Sequence, residues 1–341
     1  MEKKVLRWMT VLLGFITVFV CVSLYHLPSF KEQWIMAAEI TDTTIGQTVI
    51  EIEESEVEKL YIEIPENMDG KDISITNDYL SQTIYVRFKN GVENYSENYS
   101  VYGSSNHIAS MSYYKEDAAG VLAIALDRLY EISYYYENGN LCMSFIDPHD
   151  IYDKVIVVDA GHGGRMPGAV KRGIKEKELN LEIVKQMKAI FDEVDDDSIK
   201  VYYTRLDDTN PSLRERANLA NKANADLFIS IHNNSSGSGL FTSERGTMVL
   251  YNPLDTSEKS SKEFAKICLE NVIASIGSRN KGLVDGEYVY IVRSSQVPVV
   301  LIEVGYMTNY QELENLGNPE YQRKVAEGVY NAIMQAFEEG F

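Results

Sequence analysis

Apolar and polar positions change rhythm along this chain. From residue 151 to 341, short apolar runs at 155–159, 199–203, 227–231, 248–251 and 299–303 are separated by segments of helical period. Leu179, Ile183, Val184, Met187, Ile190 and Phe191 share one helical face. Phe264, Ile267, Cys268 and Ile276 form a second, while Val325, Val329, Ile333 and Phe337 recur every four residues. Such spacing is that of helices packed on one side. Near-continuous apolar strands alternating with these helices predict an α/β fold: a mostly parallel sheet with helices on both faces.

Between residues 56 and 150 the period shortens. Runs at 60–64, 83–88, 121–126, 130–136 and 141–146 are rich in β-branched and aromatic residues, with turns such as Asn67-Met68-Asp69-Gly70 and Glu137-Asn138-Gly139-Asn140 between them. Several short strands so punctuated predict a small β-rich domain, a β-sandwich. Its tyrosines could form a carbohydrate-binding face, but tyrosines in strands more often serve packing. Residues 31–55 are polar and acidic and read as a tether.

The first thirty residues carry a membrane signal. Lys3, Lys4 and Arg7 precede a stretch over 8–30 without Asp, Glu, Lys or Arg. About 20 apolar residues cross the hydrocarbon as a helix, so an N-terminal transmembrane helix over 1–30 is expected. The preceding positive charge predicts a cytoplasmic N-terminus and a single-pass protein with its body on the extracytoplasmic side. A removed signal peptide is the rival. Met36-Ala37-Ala38 is a poor cleavage site far beyond the apolar core, which favours an uncleaved anchor.

Composition narrows the partners. A chain of 341 residues accommodates two domains, and a formal charge of −19 argues against nucleic acid, whose phosphates need a basic surface. Cys21, Cys142 and Cys268 form no CxxC pair, so neither a cysteine zinc site nor a disulfide framework is indicated.

The candidate chemistry gathers in residues 151–341. Val157-Val158-Asp159-Ala160-Gly161-His162-Gly163-Gly164 is an apolar run that stops at a glycine-framed histidine. His232 follows residues 227–231, and Glu303 closes residues 299–302. In open α/β sheets ligands bind outside the carboxyl ends of the strands, so these three side chains fall on one rim. Glu176 comes from the Gly173-Ile174-Lys175-Glu176-Lys177 turn that opens the first helix. Two imidazoles and one carboxylate make a catalytic zinc set with an open fourth position, and Glu303 is left to act as general base. Glu176 and Glu178 could instead favour the helix N-terminus through its dipole. The glycines around His162 are expected to let a polymer approach the metal.

These segments resemble the zinc-dependent N-acetylmuramoyl-L-alanine amidases, cell-wall hydrolases with an α/β catalytic domain. The resemblance is carried by Val158-Asp159-Ala160-Gly161-His162-Gly163-Gly164, by Gly173 through Leu181, and by Thr204-Arg205. Leu213 through Asn221, Ser230-Ile231-His232-Asn233-Asn234 and Val297 through Asn309 follow in the family's order, over roughly residues 154–338. It implies His162, Glu176 and His232 as ligands of Zn2+, with Glu178 as the fallback should the Glu-Lys-Glu run align two residues later. It also implies Glu303 as general base and the amide between N-acetylmuramic acid and the L-alanine of the stem peptide in peptidoglycan as substrate. Asn233 and Arg293 are the expected substrate contacts, whereas Arg205, Arg214, Arg216 and Asn218 are expected to organise the fold. The domain over 56–150 is expected to localise the enzyme to the wall, and an activator protein is a further partner some relatives need. The alternative function is a non-catalytic wall-binding or scaffold protein on the same fold.

Overall fold

The computed structural model describes residues 59–341 apart from 90, 93, 94 and 104. The expected anchor over 1–30 and tether over 31–55 lie outside the described residues. Among the described residues, no helix is long and apolar enough to cross a membrane.

The first eight strands are β1 (Lys59–Glu63), β2 (Ile73–Asp78), β3 (Thr83–Phe88), β4 (Val101–Gly103), β5 (Ile108–Glu116), β6 (Ala119–Leu126), β7 (Glu131–Glu137) and β8 (Asn140–Ile146). They form two antiparallel sheets, β4-β1-β8-β7 and β2-β3-β6-β5. Strict alternation in β1 and β3 turns every second side chain inward. Leu60 and Ile62 therefore meet Ile84, Val86, Phe88, Ile124, Leu141 and Met143 in one core between the sheets. The expected sandwich is present, with three strands that the apolar runs did not announce. One of them, β5, is an edge strand with no fully buried residue, so it needs no apolar run.

The second part comprises β9 (Lys154–Ala160), β10 (Val170–Lys171), β11 (Ile174–Lys175), α1 (Glu176–Val194), β12 (Ile199–Tyr203), α2 (Leu213–Lys222), β13 (Leu227–Asn234) and β14 (Thr247–Tyr251). It continues through α3 (Ser261–Ile276), β15 (Asn280–Asp285), β16 (Val299–Tyr306), α4 (Tyr310–Leu316) and α5 (Pro319–Glu338). Six strands form one sheet in the order β12-β9-β13-β16-β14-β15. The pairings are parallel except where β14 meets β16, so the sheet is mixed and β14 and β15 run opposite to the other four strands. Helices α1, α3 and α5 pack with Ile156, Val158, Ile229 and Ile302 on one face. Helix α2 and a helical turn at Tyr290–Arg293 pack with Val155, Val157, Phe228 and Leu301 on the other.

The sandwich is seated on the edge of this sheet. Glu131 of β7 accepts from the hydroxyls of Tyr79 (2.8 Å) and Tyr202 (2.7 Å) and pairs with Lys200 of β12 at 2.9 Å. Leu129 is buried in the same core as Val155, Tyr202 and Leu219. A charge held by three partners beside an apolar contact fixes orientation better than apolar burial alone.

Candidate metal centre

Three elements of the sheet bring the site together. Strand β9 ends at Ala160, and the chain turns over the sheet rim at Gly161 and His162. His162 has φ 62°, a left-handed conformation that costs a non-glycine residue about 1 kcal/mol or more. Two buried guanidinium groups hold it there. Arg216 donates to the carbonyls of Ala160 (2.7 Å) and His162 (2.7 Å), and Arg205 donates to those of Ala160 (2.8 Å) and Gly161 (2.8 Å). Arg205 and Arg216 thus organise the fold, as expected.

On the neighbouring strands, His232 of β13 stands in register with Glu303 of β16. Residues paired in one cross-strand row point to the same side of the sheet, so the imidazole and the carboxylate share a face. Glu176, the first residue of α1, returns to them by way of the β10–β11 hairpin. Its Oε1 lies 3.1 Å from His162 Nε2 and 3.0 Å from His232 Nδ1. It also accepts from the backbone N–H of Ala169 (2.9 Å, to Oε2) and of Asn233 (3.2 Å, to Oε1). The donor atoms of His162, Glu176 and His232 all lie within 4.8 Å of one another. Glu178 is exposed and pairs with Lys175 at 2.8 Å, so it is Glu176 that joins the histidines.

Burial and charge pull against each other here. Burial by itself would raise the Glu176 carboxyl, but hydrogen bonds to His162 and His232 outweigh it and hold the group ionised, well below the usual range. Burial disfavours protonation of His232, yet contact with Glu176 raises its pKa. A carboxylate facing two ring nitrogens at 3.0–3.1 Å requires a proton or a cation on each. A single divalent cation answers that demand, and an N2O donor set fits a tetrahedral catalytic ion that keeps its fourth position for water.

Glu303 differs. It is partly buried, and its Oε2 has no hydrogen-bond partner. Burial pushes its carboxyl up to about 7, eased by His232 and reinforced by Glu176. A carboxyl poised near neutrality, with a free lone pair beside three converging donors, is equipped to carry a proton.

Glycine makes the packing feasible at two points. A Cβ on Gly161 would lie 2.2 Å from His232 Nε2, so this glycine admits the His232 ring. At Gly161 the room is taken by that ring, whereas the expectation was an opening for a polymer. Gly168 has φ +68°, and a Cβ there would lie 2.5 Å from Glu176 Oε2 and 2.6 Å from His162 Cδ2. Gly168→Ala is expected to weaken divalent-cation binding by about 10–100-fold, the range for disturbing the support of a metal ligand. Competition with a fluorescent chelator measures it, and unchanged affinity would show that the hairpin yields freely.

Both expected substrate contacts are corrected. Asn233 is 1 % exposed, and its side chain donates to Asn180 Oδ1 of α1 at 2.8 Å. Strand alternation puts it beside Ile229 and Ile231, on the face that α1 covers. Arg293 follows β15, which runs opposite to β9, β13 and β16, so it lies toward the other rim. There it donates to the Tyr288 carbonyl at 3.3 Å. One contributor went unassigned in the sequence. Asp159 is fully buried and receives Arg216, Thr204 Oγ1 and Ser230 Oγ at 2.5–2.6 Å. A charge inside an apolar strand needs partners, and that signal was available for Asp159 as it was for Glu303.

Comparison with known proteins agrees with this geometry. The family model for N-acetylmuramoyl-L-alanine amidase matches residues 156–335, more than half of the chain. The chain is 33% identical over 192 residues to the uncharacterized protein YqiI of Bacillus subtilis, covering 56% of this chain and 88% of that protein. It is 31% identical to the N-acetylmuramoyl-L-alanine amidase LytC of B. subtilis, covering 55% of this chain and only 36% of LytC. Among solved structures, an N-acetylmuramoyl-L-alanine amidase from Clostridium difficile 630 superposes with a TM-score of 0.51 at 30% identity, covering 55% of this chain and 98% of that one.

Proposed function

The chain belongs to the N-acetylmuramoyl-L-alanine amidase family of cell-wall hydrolases, and from that premise we propose that it cleaves the amide between N-acetylmuramic acid and the L-alanine of the peptidoglycan stem peptide. In this reading His162, Glu176 and His232 hold a zinc ion and Glu303 is the general base. The observation that carries it is the pairing of three converged donors with a buried, unpartnered carboxylate oxygen in the adjacent row.

When bound, zinc supplies Lewis-acid chemistry, making water more acidic and the amide carbonyl more electrophilic. The remaining work falls to the chain. Glu176 would offer its carboxylate to the ion beside the two imidazoles, and its orientation is set by the N–H groups of Ala169 and Asn233. Glu303 takes the proton of the attacking water at its unpartnered Oε2 and returns it to the alanine nitrogen as the C–N bond breaks. Arg205 and Arg216 keep His162 in place through that cycle.

The proposal extends to location: an anchor over residues 1–30, a tether over 31–55, and the sandwich and amidase domain over 56–341 on the extracytoplasmic side, where the sandwich contacts the wall. Protease added to intact cells should then digest the body of the chain. Digestion seen only after lysis would refute that placement.

Incubating the full-length chain in detergent with purified peptidoglycan is expected to release peptides with new L-alanine N-termini and leave the glycan intact. Chelator should stop release, and added Zn2+ should restore it. Continued cleavage by chelated enzyme would exclude the metal mechanism, and new termini at any residue other than L-alanine would exclude the bond assignment.

A further inference from the structure

The chain as a whole is strongly acidic, yet the rim that carries the metal site is edged with exposed cations. Arg172 sits at the tip of the β10–β11 hairpin that leads into Glu176, with its guanidinium 5.1 Å from the ring centre of Tyr310. Lys281 lies at the start of β15, one residue before Gly282. Gly282 belongs to the cross-sheet row that runs through Met248 and Glu303 to His232, and the Lys281 ammonium is 5.6 Å from the ring centre of Tyr306, at the end of β16. Arg245 enters β14 beside them. All three are exposed, and Arg245 and Lys281 also act on the buried carboxylate of Glu312, which leaves the three with a surplus of positive charge.

Three exposed cations at one rim of a chain with net charge −19 set a local positive field against an acidic background, which attracts an anionic ligand there more than elsewhere. Two of them stand over aromatic rings that leave their N–H groups free to donate. Resting on the amidase reading, we propose that Arg172, Arg245 and Lys281 bind free carboxylates on the peptide side of the substrate, so that the enzyme selects stem peptides that are anionic over those whose carboxyls are amidated. The glycan backbone is neutral apart from its peptide-bearing arms and offers these cations little. The peptide carries a carboxylate for every residue linked through a side chain and one at its end.

The test uses the full-length enzyme and two soluble muropeptides that differ only in having free or amidated peptide carboxyls. The expected result is a KM roughly fivefold to tenfold lower for the free-acid form at low salt, with similar kcat, because exposed charge pairs act on encounter and binding. The difference should shrink in 0.5 M salt, roughly where screening acts within a few ångströms. The triple variant Arg172→Gln, Arg245→Gln, Lys281→Gln should raise KM for the free acid to that of the amide and leave the amide's own kinetics unchanged. Equal KM values for wild type on both substrates would overturn the proposal, as would a variant that loses activity on both alike while unfolding at the wild-type temperature. If wild type released no L-alanine terminus from either muropeptide, the amidase reading itself would fall, a result separate from cleavage without discrimination.

Discussion

Replacing Glu303 with glutamine is expected to remove turnover while making the metal-free protein more stable. The loss follows from chemistry: glutamine cannot accept the water's proton, and removing a positioned base costs about 10²–10⁴-fold in rate. The gain follows from burial. Its Oε2 has no partner, and desolvation raises the carboxyl from 4.5 to about 7. A folded pKa above the unfolded value means the native state binds the proton more tightly, so stability falls as pH rises from 4.5 through about 7. Each unit is about 1.4 kcal/mol, which makes the ionised form a burden of roughly 3–4 kcal/mol above neutrality.

Glutamine stays neutral at every pH. Chelated Glu303→Gln should therefore unfold several degrees above wild type at pH 8 and at the same temperature at pH 4.5. Near a bound cation the wild-type carboxyl drops, so the acid limb of kcat/KM should fall below pH 7. Parallel thermal scans at the two pH values check the first statement. A variant that is no more stable at pH 8, or that cleaves at the wild-type rate, would remove Glu303 from the role assigned to it.

That prediction rests on a residue the sequence made conspicuous. His162, His232 and Glu303 were legible because parallel strands end on one rim, so three apolar runs each closing on a chemical residue point to a single place. The reversal at β14 and β15 could not be read the same way, since an apolar run carries no direction, and Arg293 was misplaced for that reason. Asn233 was misplaced because the apolar run ends at residue 231 while the strand continues to Asn234. Counting by twos from Ile229 and Ile231 sets it facing α1. Strand β15 itself carried little signal: it is an edge strand with no buried side chain, and Gly282 interrupts it at φ +88°.

The largest expected loss of stability comes from Asp159→Asn, a substitution that leaves every side chain of the metal set intact. Asp159 is fully buried, and its carboxylate receives Arg216, Thr204 and Ser230. Burial would raise its pKa, but the Arg216 guanidinium and the two hydroxyls outweigh it and hold the carboxyl below its usual range. With the folded value depressed, the stabilisation is present above the unfolded value of about 3.9 and is lost as pH falls below it. Asparagine keeps the shape and removes the charge, leaving the buried Arg216 without its counterion, which costs about 3–5 kcal/mol. For a domain of this size that is roughly 10 °C or more in Tm.

The same change reaches the site, because Arg216 also holds the carbonyl of His162, whose backbone is left-handed. Metal affinity should therefore fall together with Tm, and excess Zn2+ should recover part of both by binding the folded state alone. Thermal unfolding of wild type and Asp159→Asn at pH 7, with and without metal, measures the coupling. A variant with unchanged Tm would mean the ion pair contributes nothing, whereas lowered Tm with unchanged metal affinity would mean that Arg216 supports the sheet and not the ligand.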